Sequence, residues 1–296
     1  MNRGVTVRAA RASQAVRRIR HALRHRPLLA AGVIVVLVVG LVAVLAPGIA
    51  PFPGDAGIAT HPFHILQPPS LRHPFGTDQL GRDVLSRVIY GARISPLIAA
   101  VVIMSAMAIG IPLGLIAGYF GGIVDEVIMR ITDVFLAVPA LLLALAFATV
   151  LPPNMGSTML AIGIAWWPWY TRLVRGQAAS VRGRPFIESS QALGLPRWWI
   201  VMRHVLPNSI TPVLVQASLD FGGVILTASA LAFLGLGVQD PTPDWGLMIS
   251  EGAAFFSTQW WLVTFPGLAI LITAIGFNLL GDGLREMLDP RRVISR

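Results

Sequence analysis

Groups able to do covalent or acid-base chemistry are few and scattered. The 296-residue chain has no cysteine, and all 23 of its basic residues are arginine. Those two absences remove the P-loop lysine that holds nucleotide phosphates, the Schiff-base lysine, the thiol nucleophile, the cysteine metal site and the disulfide. No His-Glu-x-x-His run occurs, and no pair of intramembrane aspartates, so an intramembrane enzyme has no visible machinery. His61, His64 and His73 share one segment, but without cysteine or clustered carboxylates, and with prolines beside two of them, no metal site is predicted. Two isolated acids remain of interest: Asp220 inside an apolar run and Glu188 in a polar loop. Asp133 stands three residues after Arg130 and reads as half of a structural ion pair.

The elements that position these groups follow from composition. With 55% hydrophobic residues, 12% charged residues and a mean hydropathy of +0.71, the chain is an integral membrane protein, since soluble domains carry about 25% charge. A spanning helix needs about 20 apolar residues. Uncharged stretches predict six spans: Leu28 to Ala46, Ile94 to Phe120, about 132–150, about 158–174, Ile210 to Leu234 and Trp260 to Leu280. The third and fourth are separated by Leu151-Pro152-Pro153-Asn154, which cannot continue a helix.

Arginine counts orient the spans. With both termini inside, 19 of the 23 arginines are cytoplasmic and only Arg72, Arg82, Arg87 and Arg93 are outside, as the positive-inside bias requires. The net charge of +9 is thereby read as topology, and no nucleic-acid partner is predicted. The apolar run at 28–46 is too long for a secretory signal, so it is read as an anchored helix behind an arginine-rich cytoplasmic segment, 1–27.

Several features between the spans are expected to be structural. Residues 47–93 begin irregularly, with seven prolines, and end in an amphipathic helix at the outer interface, in which Asp83 and Arg87 form an i,i+4 pair. Gly110, Gly114, Gly118 and Gly122 recur every four residues, a ridge for close helix packing. Trp166, Trp167, Trp169 and Tyr170 read as an interfacial belt. The outer segment 236–259 carries acids and no base, and these are read as keeping the loop solvated.

The informative region is the large cytoplasmic loop 172–211. Its sequence from Arg184 to Asn208 predicts two short helices broken at Gly194 to Pro196, where glycine ends one and proline starts the next. An exposed helix pair on the inner face can press into a groove of another protein.

Here the chain resembles the transmembrane subunits of ATP-binding-cassette importers. Their loop signature is matched by Glu188, Gly194, Ile200 and Leu206-Pro207 in order and spacing, with Ser189 and Ser190 where alanines are usual. Further matching stretches are HPFGTDQLGRDVLSRVIYGAR (73–93), GLIAGYFGG (114–122), DEVIMRITDVFLAVPALLLAL (125–145), RHVLPN (203–208), AFLGLGVQDPTPDWG (232–246) and FPGLAILITAIGFNLLGDGLREMLDPR (265–291). They narrow the resemblance to the C-type permeases of dipeptide and oligopeptide importers. Ala228 departs from that branch, standing where a glutamate is frequent.

The resemblance implies an all-α, six-helix type I importer fold with cytoplasmic termini. Its parts are 1–27, the first helix 28–46, the external segment 47–93, a five-helix core 94–284 that includes the coupling loop 172–211, and a cytoplasmic tail 285–296. It implies a second, B-type permease subunit, two ATPase subunits or domains that carry ATP and magnesium, an external substrate-binding protein, a peptide substrate, membrane lipid around the spans and a prokaryotic cytoplasmic membrane. The chain itself binds no cofactor on this reading. Arg184, Glu188, Ser189, Ser190, Gly194, Arg203, Leu206 and Pro207 are the implied ATPase-coupling residues, with Asp220 and Ala228 candidates for the translocation path. Nickel chelates, glutathione and haem are alternative cargoes. A stand-alone secondary transporter is the rival class, but no inverted internal repeat is evident.

Overall fold

A computed structural model describes residues 26–288. Within them the chain is helical and forms no strand; a single isolated bridge joins Thr77 and Asp83. The helices are α1 (Pro27–Ile49), α2 (Val84–Phe120), α3 (Gly122–Leu136), α4 (Ala140–Val150), α5 (Met155–Arg182), α6 (Pro185–Ala192), α7 (Arg197–Ile200), α8 (Leu206–Phe233), α9 (Trp245–Ala253) and α10 (Trp261–Leu288). Residues 1–25 of the arginine-rich segment and most of the predicted tail lie outside the described residues.

Four helical segments are long and apolar enough to cross a membrane: α1, α2, the continuous run Arg197–Phe233 and the run Trp261–Met287. The pair α3 and α4 makes a fifth if counted as one bent crossing. This changes the predicted third span. Instead of one straight helix over 132–150, α3 and α4 meet at 83°. Pro139 has no N–H to give and its ring clashes with the preceding turn, so the helix stops at Leu136 and restarts at Ala140. The predicted fourth span lies within α5, which at about 42 Å is long enough but is not among the helices apolar enough to cross. Arg172, Arg175 and Arg182 make its last turns polar.

The glycine ridge positions α2 on α5. A Cβ at Gly110 would sit 2.6 Å from Tyr170 Cβ, at Gly114 2.6 Å from Thr171 O, and at Gly118 2.4 Å from Arg175 O. No side chain fits at these three positions, so the backbones approach closely. Gly122 is not part of the ridge. It follows Gly121 in the left-handed turn (φ +59° and +67°) that separates α2 from α3. A second close crossing docks α1 on α10, where Gly32 faces Leu280 N and Gly276 faces Val35.

Burial also corrects the aromatic belt. Tyr170 is fully buried against Gly110, and Trp167 is buried with its ring 5.3 Å from Phe135, so both are core residues; Trp169 alone of the four is strongly exposed. The predicted Arg130–Asp133 pair does not form. Because α3 lies along the polar end of α5, Asp133 pairs with Arg172, and Asp125 takes a two-pronged bond from Arg175 at 2.6 and 3.0 Å.

On the side assigned to the exterior, the amphipathic helix is the first part of α2, with no break before the span. Asp83 is its N-cap, accepting from Ser86 N at 2.8 Å and Ser86 Oγ at 2.7 Å. With both of its oxygens engaged, the Asp83 carboxylate does not pair with Arg87, and that predicted pair is replaced. Asp83 receives His73 Nδ1 at 3.0 Å, and its own N–H donates to the buried Asp55 at 2.8 Å.

Arg87 turns instead into a buried charge cluster. Arg82 donates to Asp78 at 2.7 Å and to Asp240 at 2.6 Å, while Glu251 lies 3.5 Å from Arg87 and 3.7 Å from Arg82. Burial acts to lower the Arg82 pKa, but the adjacent Asp78 and Asp240 carboxylates outweigh it and hold the guanidinium above its ordinary range. Burial raises the Glu251 carboxyl, partly offset by Arg87 and Arg82. The acids of 236–259 are therefore structural anchors as well as solvated groups. Beside them Asp244 caps α9, accepting from Leu247 N at 3.0 Å and Ser95 Oγ at 2.8 Å. Trp245 is inserted over Gly91 and bonded to Val88 O at 3.0 Å.

Candidate functional site

The loop predicted to be cytoplasmic folds as a helix pair hung from the bundle. Pro185 starts α6 at its first position, where a missing N–H costs nothing, and Arg184 is its N-cap. On the inner side Ile187, Ile200, Val201 and Val205 are fully buried in the core. Four such side chains each contribute about 1.5–3 kcal/mol of burial, enough to fix the pair's angle against the spans.

The end of α6 is a Schellman motif. Gly194 N donates to Gln191 O at 2.9 Å and Leu195 N to Ser190 O at 3.3 Å. This geometry requires the left-handed φ of +75° found at Gly194, which L side chains adopt only under strain. A Cβ there would meet nothing within 4 Å, so intrachain packing does not demand glycine. The requirement is the backbone turn, and the space beyond is open.

The predicted second helix differs from expectation. Instead of a separate short helix, α7 passes through a π-turn, Val201–Val205, directly into α8. Pro207 explains the turn: it donates no backbone bond, and the chain widens so that Leu206 N bonds Val201 O, five residues back. The loop and the fifth predicted span are thus one helical rod, Arg197–Phe233.

The outward face of the pair is mixed. Arg184, Glu188, Ser189, Gly194, Arg203 and Pro207 are exposed, Leu206 is half-buried and Ser190 is buried. Among them stand large exposed apolar side chains: Leu193 at 80%, Trp198 at 57%, Trp199 at 45% and Met202 at 59%. Ser189 and Ser190 behave as small residues here. Their hydroxyls donate to carbonyls four residues back, Pro185 O at 3.0 Å and Phe186 O at 2.7 Å, and present no free polar group outward. Clustered exposed tryptophan, leucine and methionine side chains of this kind are the composition enriched where proteins meet.

The two candidate path residues occupy different settings. Asp220, on α8, accepts from Gln216 Nε2 at 2.8 Å, and its second oxygen is buried facing the Tyr170 hydroxyl. An acid at that depth is costly. Ala228, two turns further along α8, is 6% exposed and packed in the core. The three histidines serve the outer segment: His73 pairs with Asp83, His61 with Asp55, and His64 bonds Gln67. The charge cluster around Arg82 was missed in the sequence, although a signal existed: arginines 82 and 87 outside, and an outer segment holding acids alone.

Residues 110–294 match the family model described as the binding-protein-dependent transport system inner membrane component. Residues 14–69 match the N-terminal transmembrane domain of oligopeptide transport permease C. The chain is 43% identical over 269 residues to a probable D,D-dipeptide transport system permease protein of Escherichia coli, covering 91% of this chain and 89% of the relative. It is 42% identical to a dipeptide transport system permease of Alkalihalophilus pseudofirmus, covering 91% and 88%. A glutathione transport system permease of Pectobacterium atrosepticum is 40% identical, covering 92% and 89%. Among solved structures, the MetNI methionine ABC transporter in inward-facing form matches with a TM-score of 0.52 at 20% identity, covering 71% of this chain and 97% of that one. That likeness shows the fold alone.

Proposed function

The chain belongs to the family of binding-protein-dependent transport system inner membrane components, and from that premise we propose that it carries short peptides inward as one permease subunit of an ATP-driven importer. It crosses the cytoplasmic membrane of a prokaryote six times with both termini inside, pairs with a second permease subunit and receives cargo from an external binding protein. Having no lysine, it has no P-loop of the usual form and takes its motion from two partner ATPases, which carry the ATP and magnesium.

Coupling falls to the helix pair α6–α7. The observation that carries this reading is Gly194: a left-handed turn with open space beyond it, flanked by exposed Leu193, Trp198 and Trp199. The pair fits the cleft of an ATPase, with Glu188 at its centre and Arg184 and Arg203 at the rim. Because α7 is continuous with α8, force applied to the pair passes along a helical rod into the spans. The π-turn gives that rod a place to bend.

Relatives named for dipeptides outnumber the one named for glutathione among those described, which favours a dipeptide-sized cargo. Asp220 supplies a carboxylate suited to a peptide ammonium on the path. The test is the reconstituted transporter with Gly194→Trp. ATPase activity should persist without peptide uptake, while co-purification of the subunits is retained. Unchanged uptake overturns the coupling assignment. Separately, uptake of glutathione but not dipeptides by the wild type overturns the cargo.

A further inference from the structure

We propose that the cleft between α1 and the outer end of α2 binds one phospholipid, held by its phosphate on Arg93. Tyr90, Arg93, Ile94 and Leu97 lie at helical spacing on one face of α2. They line one wall of a cavity of about 690 Å³ whose other wall includes Ala43 and Val44 of α1, and the turn Pro53–Ala56 also borders it. Chain direction gives the cleft a polarity. With α2 running inward, Tyr90 and Arg93 lie nearer the outer surface and Ile94 and Leu97 deeper. On α1, which runs outward, Ala43 and Val44 lie about 8–9 Å below the helix end. Polar donors at the rim with hydrocarbon walls beneath match a phosphodiester followed by acyl chains.

Charge decides the ligand. Of the four arginines assigned to the exterior, Arg82 and Arg87 are neutralised in the acid cluster, and Arg72 is exposed in the irregular segment where water solvates it. Arg93 is the one that stands exposed on a membrane helix with no acidic partner among the described residues. A guanidinium at a membrane boundary is strongly favoured by a lipid phosphate, to which it offers two parallel N–H donors. Tyr90 lines the cleft about one turn before Arg93, and a tyrosine hydroxyl is a donor suited to the same phosphate. Such a lipid would wedge α1 against α2, where the chain's most lipid-exposed helix otherwise leaves a gap. The assignment to the outer leaflet rests on the proposed orientation; the phosphate on Arg93 does not.

The test is phospholipid retention by the full chain, equilibrated with detergent micelles containing phosphatidylethanolamine and phosphatidylglycerol and read by native mass spectrometry. The wild type is expected to hold one phospholipid that survives excess inorganic phosphate. Arg93→Gln should weaken retention about tenfold, whereas Arg72→Gln should leave it unchanged. Leu97→Trp, which keeps the charge and fills the cleft, should also lower it and serves if the arginine variant does not fold. Equal retention by wild type, Arg93→Gln and Leu97→Trp overturns the site. So does displacement by inorganic phosphate, which marks a bare anion site. A photo-crosslinker at Leu97 that captures the second permease subunit in the assembled transporter, and no lipid, overturns it as well.

Discussion

Arg82 and Asp240 are 158 residues apart in the chain and 2.6 Å apart in the fold, joined by a charged hydrogen bond between the segment before α2 and the segment before α9. Arg82 is fully buried while Asp240 is 44% exposed at its side chain, so the bond closes the outer edge of a cluster that Asp78 and Glu251 complete from within. The contact pins the outer ends of α2 and α9 together, and the segment 240–251 reaches α10 through the same block.

Removing Arg82 leaves Asp78 and Glu251 buried with reduced compensation. Arg82→Ala is expected to destabilise the external block by about 3 kcal/mol. Asp240→Ala, at a half-open position, should cost about 1 kcal/mol. A double-mutant cycle read by thermal unfolding in detergent should show coupling between the two; additive effects would mean that the bond contributes nothing.

Asp244 gives the block a pH dependence. Burial raises its carboxyl above the ordinary 3.8, although the bonds from Ser95 and Leu247 act to lower it. A raised folded pKa means that ionisation costs stability: the cost is absent well below the unfolded value of 3.8, grows between that value and the higher folded one, and is complete above the folded one. Asp244→Asn lacks that cost. Measured across acid to neutral pH, the stability of the variant relative to the wild type should rise with pH; a flat difference would contradict the shift.

The glycine ridge makes a sharp contrast on neighbouring helices. Gly118→Ala places a Cβ 2.4 Å from Arg175 O and should cost about 1–3 kcal/mol, because α2 must retreat from α5. Gly176, on α5, has nothing within 4 Å, so Gly176→Ala should gain up to about 1 kcal/mol of helix propensity. Thermal unfolding of the two variants in one detergent separates close packing from a general intolerance of side chains.

Asp220→Asn keeps an acceptor for Gln216 and removes the charge. If the carboxylate meets a peptide ammonium, uptake should fall about tenfold or more with the melting temperature unchanged. Full uptake at neutral pH would leave Asp220 as a hydrogen-bonding residue alone.

What the sequence determined by itself rests on local pattern. Apolar run length located four long membrane helices, Pro152 and Pro153 separated α4 from α5, and the spacing of Glu188, Gly194 and Pro207 marked the loop, because each signal lies within a few turns of one chain segment. The four-residue glycine interval announced a close crossing but could not name its partner. Tertiary structure decided the rest. It placed α5 on that ridge, buried Tyr170 and Trp167 that sequence alone puts at an interface, moved Asp133 from Arg130 to Arg172, and joined α7 to α8 where a break was expected. It also gathered Arg82, Arg87, Asp240 and Glu251 from two segments distant in the chain. Ion pairs form between whichever charged groups packing brings within reach, and packing is set by helix surfaces distant in sequence. Periodicity reports one face at a time, so the sequence supplied candidate residues, and the fold gave those residues their neighbours.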